Sequence, residues 1–320
     1  MTNTPTEPGS VPELPDNPAE RRNGLITGLS IAAVAVIAAV AVLVSHFTGG
    51  SSRADASGRV TVKIGTTDQS SDFWPVLTRR AAEEGIDIEL VNFTDYTQAN
   101  PALSQKQIDL NLFQHLLFLA NHNVADKDTL TPIGSTVVVP LSLYSKKHTA
   151  LQDIPEHGRV AIPHDPTNQA RALLVLQQAG LLKLKGGGSV LATPADVDTA
   201  ASKVAVTPVD ASQTVASLPS VDAAVINNNF ALDAKLDPSK ALYGDDPSKP
   251  EAEPYINVFV ARAADKNNPT YLKIAKLYHE AAVKKAAIDA SKGTAVAVDR
   301  PQADLERILA SLEKTVRAAH

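Results

Sequence analysis

The chain has 320 residues, room for two globular units, and 35 acidic against 30 basic side chains give it a net charge of −5. This balance argues against a nucleic-acid surface, which would be basic. There is no cysteine, so disulfides, thiolate metal sites, cysteine nucleophiles and a thioether-linked lipid are excluded from this sequence.

Residues 1–22 combine prolines and acids with few large aliphatics. Such a stretch buries too little to offset its chain entropy and reads as a disordered tail. Leu25 to Val44 is twenty residues without a charge. At about 1.5 Å per residue it spans about 30 Å, the thickness of a bilayer core. Arg21 and Arg22 precede it, which keeps the tail in the cytoplasm and exports the rest. The expectation is therefore a single transmembrane anchor over 23–46, with a Gly/Ser-rich flexible linker over 47–58. The rival is a cleaved signal peptide ending at Ala54-Asp55-Ala56. That match lies ten residues beyond the apolar run, and the run is longer than a secretory h-region of about 7–15 residues.

The folded part starts at Arg59. Val60–Gly65 and Ile86–Phe93 alternate and read as strands, with a helix over Phe73–Glu84 between them that carries the only tryptophan, Trp74, near the cleft mouth. Asp95 to Pro101 reads as a loop before a short helix to about Gln107. Ile108–Leu112 is a third strand; Phe113-Gln114-His115 follows, then a helix to about Asn121. This alternation predicts a parallel, doubly wound sheet, with ligands at the carboxyl ends of the strands, where Tyr96, Phe113 and His115 fall. Thr136–Ser145 is an apolar strand interrupted by Pro140, suited to an edge or to a crossover between lobes.

The next unit centres on Arg159 to Gly180. Val160–Ile162 is a strand, Asp165 an N-cap, Pro166 the first helical residue, and the helix runs through Gln178 to Gly180. Its N-terminus offers backbone N–H groups suited to an anion. Asn168 adds an amide and Arg171 a guanidinium fork that matches a carboxylate. A charge among Ala172, Leu173 and Leu174 is costly unless paired or ligated, so Arg171 either pairs with an acid of the protein or holds a ligand. Val204–Val209 and Val221–Ile226 are further strands, the latter ending at Asn227-Asn228-Asn229. Short helices are expected near Gln213–Ser217 and over Ala231–Leu236. A charged, proline-rich loop covers Asp245–Glu253 and a strand Tyr255–Arg262. One long helix is expected from Asn268 to about Lys292, and an amphipathic helix from Pro301 to Arg317.

Several stretches together resemble the methionine-binding (MetQ/NlpA) family of ABC-importer substrate-binding proteins. They are Asp95-Tyr96 with Asn100-Pro101-Ala102-Leu103, Phe113-Gln114-His115, Tyr144-Ser145-Lys146-Lys147, Asp165-Pro166-Thr167-Asn168 with Arg171-Ala172-Leu173-Leu174, Gly180-Leu181-Leu182-Lys183-Leu184-Lys185, Ala223-Ala224-Val225-Ile226-Asn227 and Pro254-Tyr255-Ile256-Asn257-Val258. They occur in family order over about residues 60–298. The resemblance implies an α/β, two-lobed, periplasmic-binding-protein-like fold with a hinge. Lobe one would be 59–140 with 254–320, and lobe two 141–253. It implies capture of methionine or a close analogue for an ABC permease and its ATPase subunits, with no cofactor and no catalysis. Carried over, Arg171, Asn168 and Asn227 would hold the ligand's carboxylate and amino group. Tyr96, Phe113 and His115 would line the thioether pocket, and Tyr255 would close it. Tyr96 and Phe113 also read as plain core aromatics.

The chain departs from the family in two places. It lacks the lipid-bearing cysteine, so the Leu25–Val44 helix takes over anchoring at the membrane, and it adds the helix after Asp299, expected to pack on lobe one. Among rival readings, no Gly-x-Ser-x-Gly elbow or His-Glu-x-x-His motif marks an enzyme. A zinc-binding importer component would need His115, His122, His148, His157 and His164 to converge in threes or fours. A binder of another amino acid or small carboxylate shares the Arg171 chemistry.

Overall fold

The computed structural model describes residues 58–319. The expected tail, anchor and, but for Gly58, the linker lie outside these residues. Among the described residues no helix is long and apolar enough to cross a membrane. In chain order the first elements are β1 (Val60–Thr66), α1 (Phe73–Glu83), β2 (Ile86–Asn92), α2 (Tyr96–Ser104), β3 (Leu110–Asn111), α3 (Leu116–Asp126), β4 (Thr131–Ser135) and β5 (Val137–Val138). The chain then crosses to β6 (Ser142–Tyr144), β7 (Gly158–Pro163), α4 (Pro166–Gln178), β8 (Val204–Val209), α5 (Thr214–Ser217), β9 (Ala223–Ile226), α6 (Asn228–Asp233) and β10 (Tyr243–Gly244). It returns to β11 (Val258–Ala261), α7 (Pro269–Tyr278), α8 (Ala281–Ala290), β12 (Val296–Ala297) and α9 (Gln302–Ala319).

Two five-stranded sheets result, ordered β2-β1-β3-β11-β4 and β10-β6-β9-β7-β8. Each has the expected parallel centre: β1 pairs with β2 and β3, and β7 with β8 and β9. Each also has antiparallel members, so the sheets are mixed rather than parallel throughout. The first crossing enters its sheet as β6, antiparallel to β9. The second returns as β11, antiparallel to β3 and β4.

Four local expectations are revised. Thr136–Ser145 is not one strand but β5, which pairs with β12 in a two-stranded sheet, a crossing through Pro140, and β6 of the second five-stranded sheet; Pro140 has no N–H for a ladder. The loop at Asp95 is already the start of α2, because the Asp95 side chain accepts the Thr97 amide at 2.6 Å and caps it. The long helix after Asn268 breaks at His279-Glu280, where Glu280 turns extended and accepts from Arg80 Nε at 2.6 Å. The break lets α7 bury Tyr271, Ile274 and Tyr278 while α8 buries Val283 and Ala287. Trp74 is not at a cleft mouth but buried, 1% exposed, with its indole N–H donating to Asp68 at 3.2 Å.

The C-terminal helix α9 buries the stripe that its sequence spacing predicts: Leu305, Ile308, Leu309, Leu312 and Val316. They share a core with Leu116, Leu117, Leu119 and Ala120 of α3. Glu313 accepts from Asn123 of α3 at 2.8 Å. The helix is thus part of the body that carries the first sheet. Leu305→Ala should destabilise the protein by about 2–5 kcal/mol, because a buried leucine leaves a cavity, whereas Lys314→Ala on the exposed face should stay within about 0.5 kcal/mol. Urea unfolding of the two variants tests this; equal effects would mean that α9 is not packed as described.

Candidate functional site

A cavity of about 130 Å³ lies between the two sheets, a size for a small molecule. The first sheet's side supplies Tyr96, Phe113, His115 and Phe118, and the second's supplies Asn168, Arg171, Asn227 and Asn229. Six of the seven residues singled out in the sequence therefore meet on one wall system.

The Phe113-Gln114-His115 turn is aimed by a buried amide cluster. Gln114 donates to Asn100 at 2.5 Å and to Asn111 at 2.9 Å, while Asn100 donates back to Gln114 at 2.8 Å. All three are at most 2% exposed, so the Asn-Pro-Ala-Leu and Phe-Gln-His motifs work together as a brace. His115 then caps α3: its Nδ1 accepts the Phe118 amide at 3.1 Å. That fixes the tautomer, with the proton on Nε2. Nε2 is buried and has no hydrogen-bond partner. The ring wall is larger than the sequence suggested. Phe118 stands 5.7 Å from Phe113 and 6.1 Å from Tyr96, and Phe230 5.1 Å from Tyr96. Phe118 follows one helical turn behind the Phe-Gln-His motif, the signal that could have found it.

On the other side, α4 begins as expected, with Pro166 first and Asp165 as its cap. The anion site expected at its N-terminus is occupied by the cap itself. Asp165 accepts the Asn168 amide at 3.0 Å and the Asn168 side chain at 3.1 and 3.2 Å. Asn168 Oδ1 in turn accepts from Asn227 Nδ2 at 2.9 Å. This chain of bonds leaves Asn227 Oδ1 buried without a partner. Asn168 thus orients Asn227.

Arg171 is 4% exposed. Its Nε and Nη2 donate to Asp245 at 2.6 and 3.0 Å, and Nη2 also donates to the Val139 carbonyl at 2.8 Å. The guanidinium stacks 4.1 Å from the Tyr255 ring. Both sequence alternatives meet here: Arg171 has an acid of the protein, and its Nη1 makes no hydrogen bond within it. Tyr255 is not on the cavity wall. It lies under Arg171 and edge-on to His115 at 5.3 Å, with a buried, unpartnered hydroxyl, and so supports the site rather than closing it. Asp68, missed in the sequence, lines the cavity and accepts from Thr66 and Trp74. Burial pushes its carboxyl up from the usual range.

Among the described residues no group of three or more His, Asp or Glu side chains converges to hold a metal. His122 is held instead by Asp126 at 2.8 Å and Asp128 at 3.2 Å.

A family model described as NlpA lipoprotein matches residues 62–298. The probable D-methionine-binding lipoprotein MetQ of Vibrio cholerae is 36% identical over 239 residues, 73% of this chain and 87% of that protein. The substrate binding protein of a methionine transporter from Streptococcus pneumoniae superposes with a TM-score of 0.69 at 38% identity, covering 74% of this chain and 95% of that one. A nutrient binding protein from Burkholderia cenocepacia bound to methionine gives 0.68 at 36% identity, over 74% and 99%. The two-lobed, mixed α/β substrate-binding-protein fold is common to them.

Burial and the Arg171 charge push the His115 pKa down to about 3, so its ring is neutral in the folded protein at any physiological pH. Unfolding restores an ordinary value of about 6.5. The unfolded chain then binds the extra proton, and the stability that neutral His115 contributes is complete above pH 6.5 and lost as pH falls toward 3. His115→Asn keeps a capping acceptor but cannot titrate. Its unfolding free energy should fall less steeply than wild type between pH 6 and 4, by about 1.4 kcal/mol per pH unit, the slope of one proton. Urea unfolding across that range checks it; parallel slopes would show that His115 titrates normally.

Proposed function

Because the chain belongs to the NlpA lipoprotein family, we infer that it is an extracytoplasmic substrate-binding protein that captures methionine, or a close analogue, for an ABC importer. It is not an enzyme. One observation above all supports the ligand class. His115 Nε2 is a buried donor and Asn227 Oδ1 a buried acceptor without a partner, and Arg171 spends only Nε and Nη2 on the protein, all on residues bordering a single cavity. A carboxylate and an ammonium on one carbon complement such a set, and unpaired buried polar groups are costly until something pairs them.

In this reading Arg171 takes the carboxylate and Asn227, aligned by Asn168, takes the ammonium. Tyr96, Phe113 and His115, with Phe118, surround the thioether, whose polarisable sulfur suits aromatic edges. Tyr255 backs Arg171. Lobe one comprises 59–140 and 254–320, lobe two 141–253, and they close about the two crossings. An ABC permease with its ATPase subunits receives the ligand. The relatives are lipoproteins by name, whereas this sequence has no cysteine to carry a lipid. We assign membrane anchoring to residues 25–44, with the binding domain on the outer side.

Titrations with methionine, norleucine, glutamine and alanine test the pocket. Norleucine should bind about tenfold more weakly, from sulfur–aromatic contacts of roughly 0.3–1.5 kcal/mol each. Alanine should lose more than about a hundredfold through missing apolar contact, and glutamine should also bind poorly because its amide is underpaired. Glutamine or alanine matching methionine would sink the thioether assignment. Arg171→Lys keeps a charge beside Asp245 but loses the fork, and should cost about tenfold or more in methionine affinity; unchanged affinity removes Arg171 from the carboxylate site. N-terminal sequencing of the membrane-extracted protein should find residues 25–44 retained, and a soluble chain starting near Ser57 would refute the anchor.

A further inference from the structure

Asp245 stands where the chain's two crossings meet. It follows β10, which pairs with β6 through Gly244 and Ser142. A side chain at position 244 would meet Ser142 Oγ at 2.9 Å, so glycine is what lets the two segments approach. At this approach Asp245 Oδ1 accepts the Leu141 amide at 2.8 Å, from the first crossing. The same oxygen accepts Arg171 Nη2, and Oδ2 accepts Arg171 Nε. Arg171 Nη2 completes the loop by donating to Val139, also in the first crossing. One carboxylate therefore ties both crossings to one edge of the guanidinium, and Tyr255 packs against its face. The edge left over is Nη1.

We propose that Asp245 is the positioning residue of the carboxylate site: it fixes Arg171 so that Nη1 faces the ligand, and it couples that contact to the segments about which the lobes bend. This rests on the reading of Arg171 as the carboxylate ligand. Both oxygens of Asp245 are needed as acceptors. An asparagine supplies only one, and its amide nitrogen would face either Arg171 Nε or the Leu141 amide, donor against donor. The guanidinium would then turn to recover a partner, and the fork would leave its ligand-facing register. Asp245 could instead act as a competitor that drains the charge of Arg171; its removal would then tighten carboxylate binding, the opposite sign.

The test compares methionine with methioninamide, which keeps the ammonium and the thioether but carries no carboxylate. The full chain is used, in wild-type, Asp245→Asn and Asp245→Glu forms, with affinities from calorimetry or competition. Wild type should prefer methionine strongly. Equal wild-type affinities would overturn the Arg171 reading itself, a failure visible before any variant is made. Given that preference, Asp245→Asn should weaken methionine by about tenfold to a hundredfold, as for breaking a buried charge pair, and change methioninamide by less than about threefold. Asp245→Glu keeps charge and both acceptors but displaces the guanidinium, and should show the same selective loss at a smaller size. It decides the matter if the asparagine variant does not fold. Equal losses for both ligands would show a structural role only, and tighter methionine binding would show competition; either overturns the proposal.

Discussion

A guanidinium on an apolar helix has to be neutralised, and most of this structure is arranged around how that is done. Arg171 follows Ala170 and precedes Ala172 and Leu173, all fully buried. An isolated charge there would be prohibitive. The acid that answers it comes from 74 residues later, across a strand pairing and a glycine contact. A buried pair of this kind is weak evidence of stability, since desolvation offsets much of the attraction. What it supplies is direction: a rigid fork with one edge spent and one edge free.

The rest of the cavity is kept electrically quiet beside that charge. His115 is neutral because burial and Arg171 both oppose its proton. Asn227 presents its carbonyl rather than its amide N–H because Asn168 takes that donor, and Asn168 is itself fixed by Asp165. Burial raises the Asp165 carboxyl from its ordinary range, while the bonds from Asn168 and Thr167 pull the other way. The polar face of the cavity is thus oriented by a chain of bonds running from Asp165 through Asn168 to Asn227.

Much of this is legible in the chain. The cap-proline-helix pattern at Asp165-Pro166 specifies α4 to its last residue, because each signal there is local. The stripe from Leu305 to Val316 predicts a packed face for the same reason. Asp245 is not legible, since a carboxylate in a proline-rich loop looks like solvated surface until the fold brings it to Leu141. Nor is the break at His279-Glu280, which depends on Arg80, 200 residues away. Asn100, Asn111 and Gln114 brace the Phe113-Gln114-His115 turn, and of the three only Gln114 borders the cavity, so two of these residues act on the site from behind its wall.

The division of the site between two sheets has a thermodynamic consequence. Tyr96, Phe113 and His115 belong with the first sheet, and Asn168, Arg171 and Asn227 with the second. Among the described residues the polar contacts that bridge the cleft include Tyr96 to Asn229, Ser70 to Asp233 at 2.7 Å, and Asn229 to Thr67 and Lys292 to the Leu236 carbonyl, both at a long 3.5 Å. The Ser70 contact is exposed to water, and exposed bonds of this sort contribute little net free energy. Ligand shifts such an equilibrium only by the difference in its affinity for the two states. An open form presents the fork without the rings, or the rings without the fork. Only the closed form presents both to one molecule, so an amino acid that fills one half alone gains little from closure. In the proposed binding mode, selectivity for the whole ligand then follows from the way the chain distributes its residues.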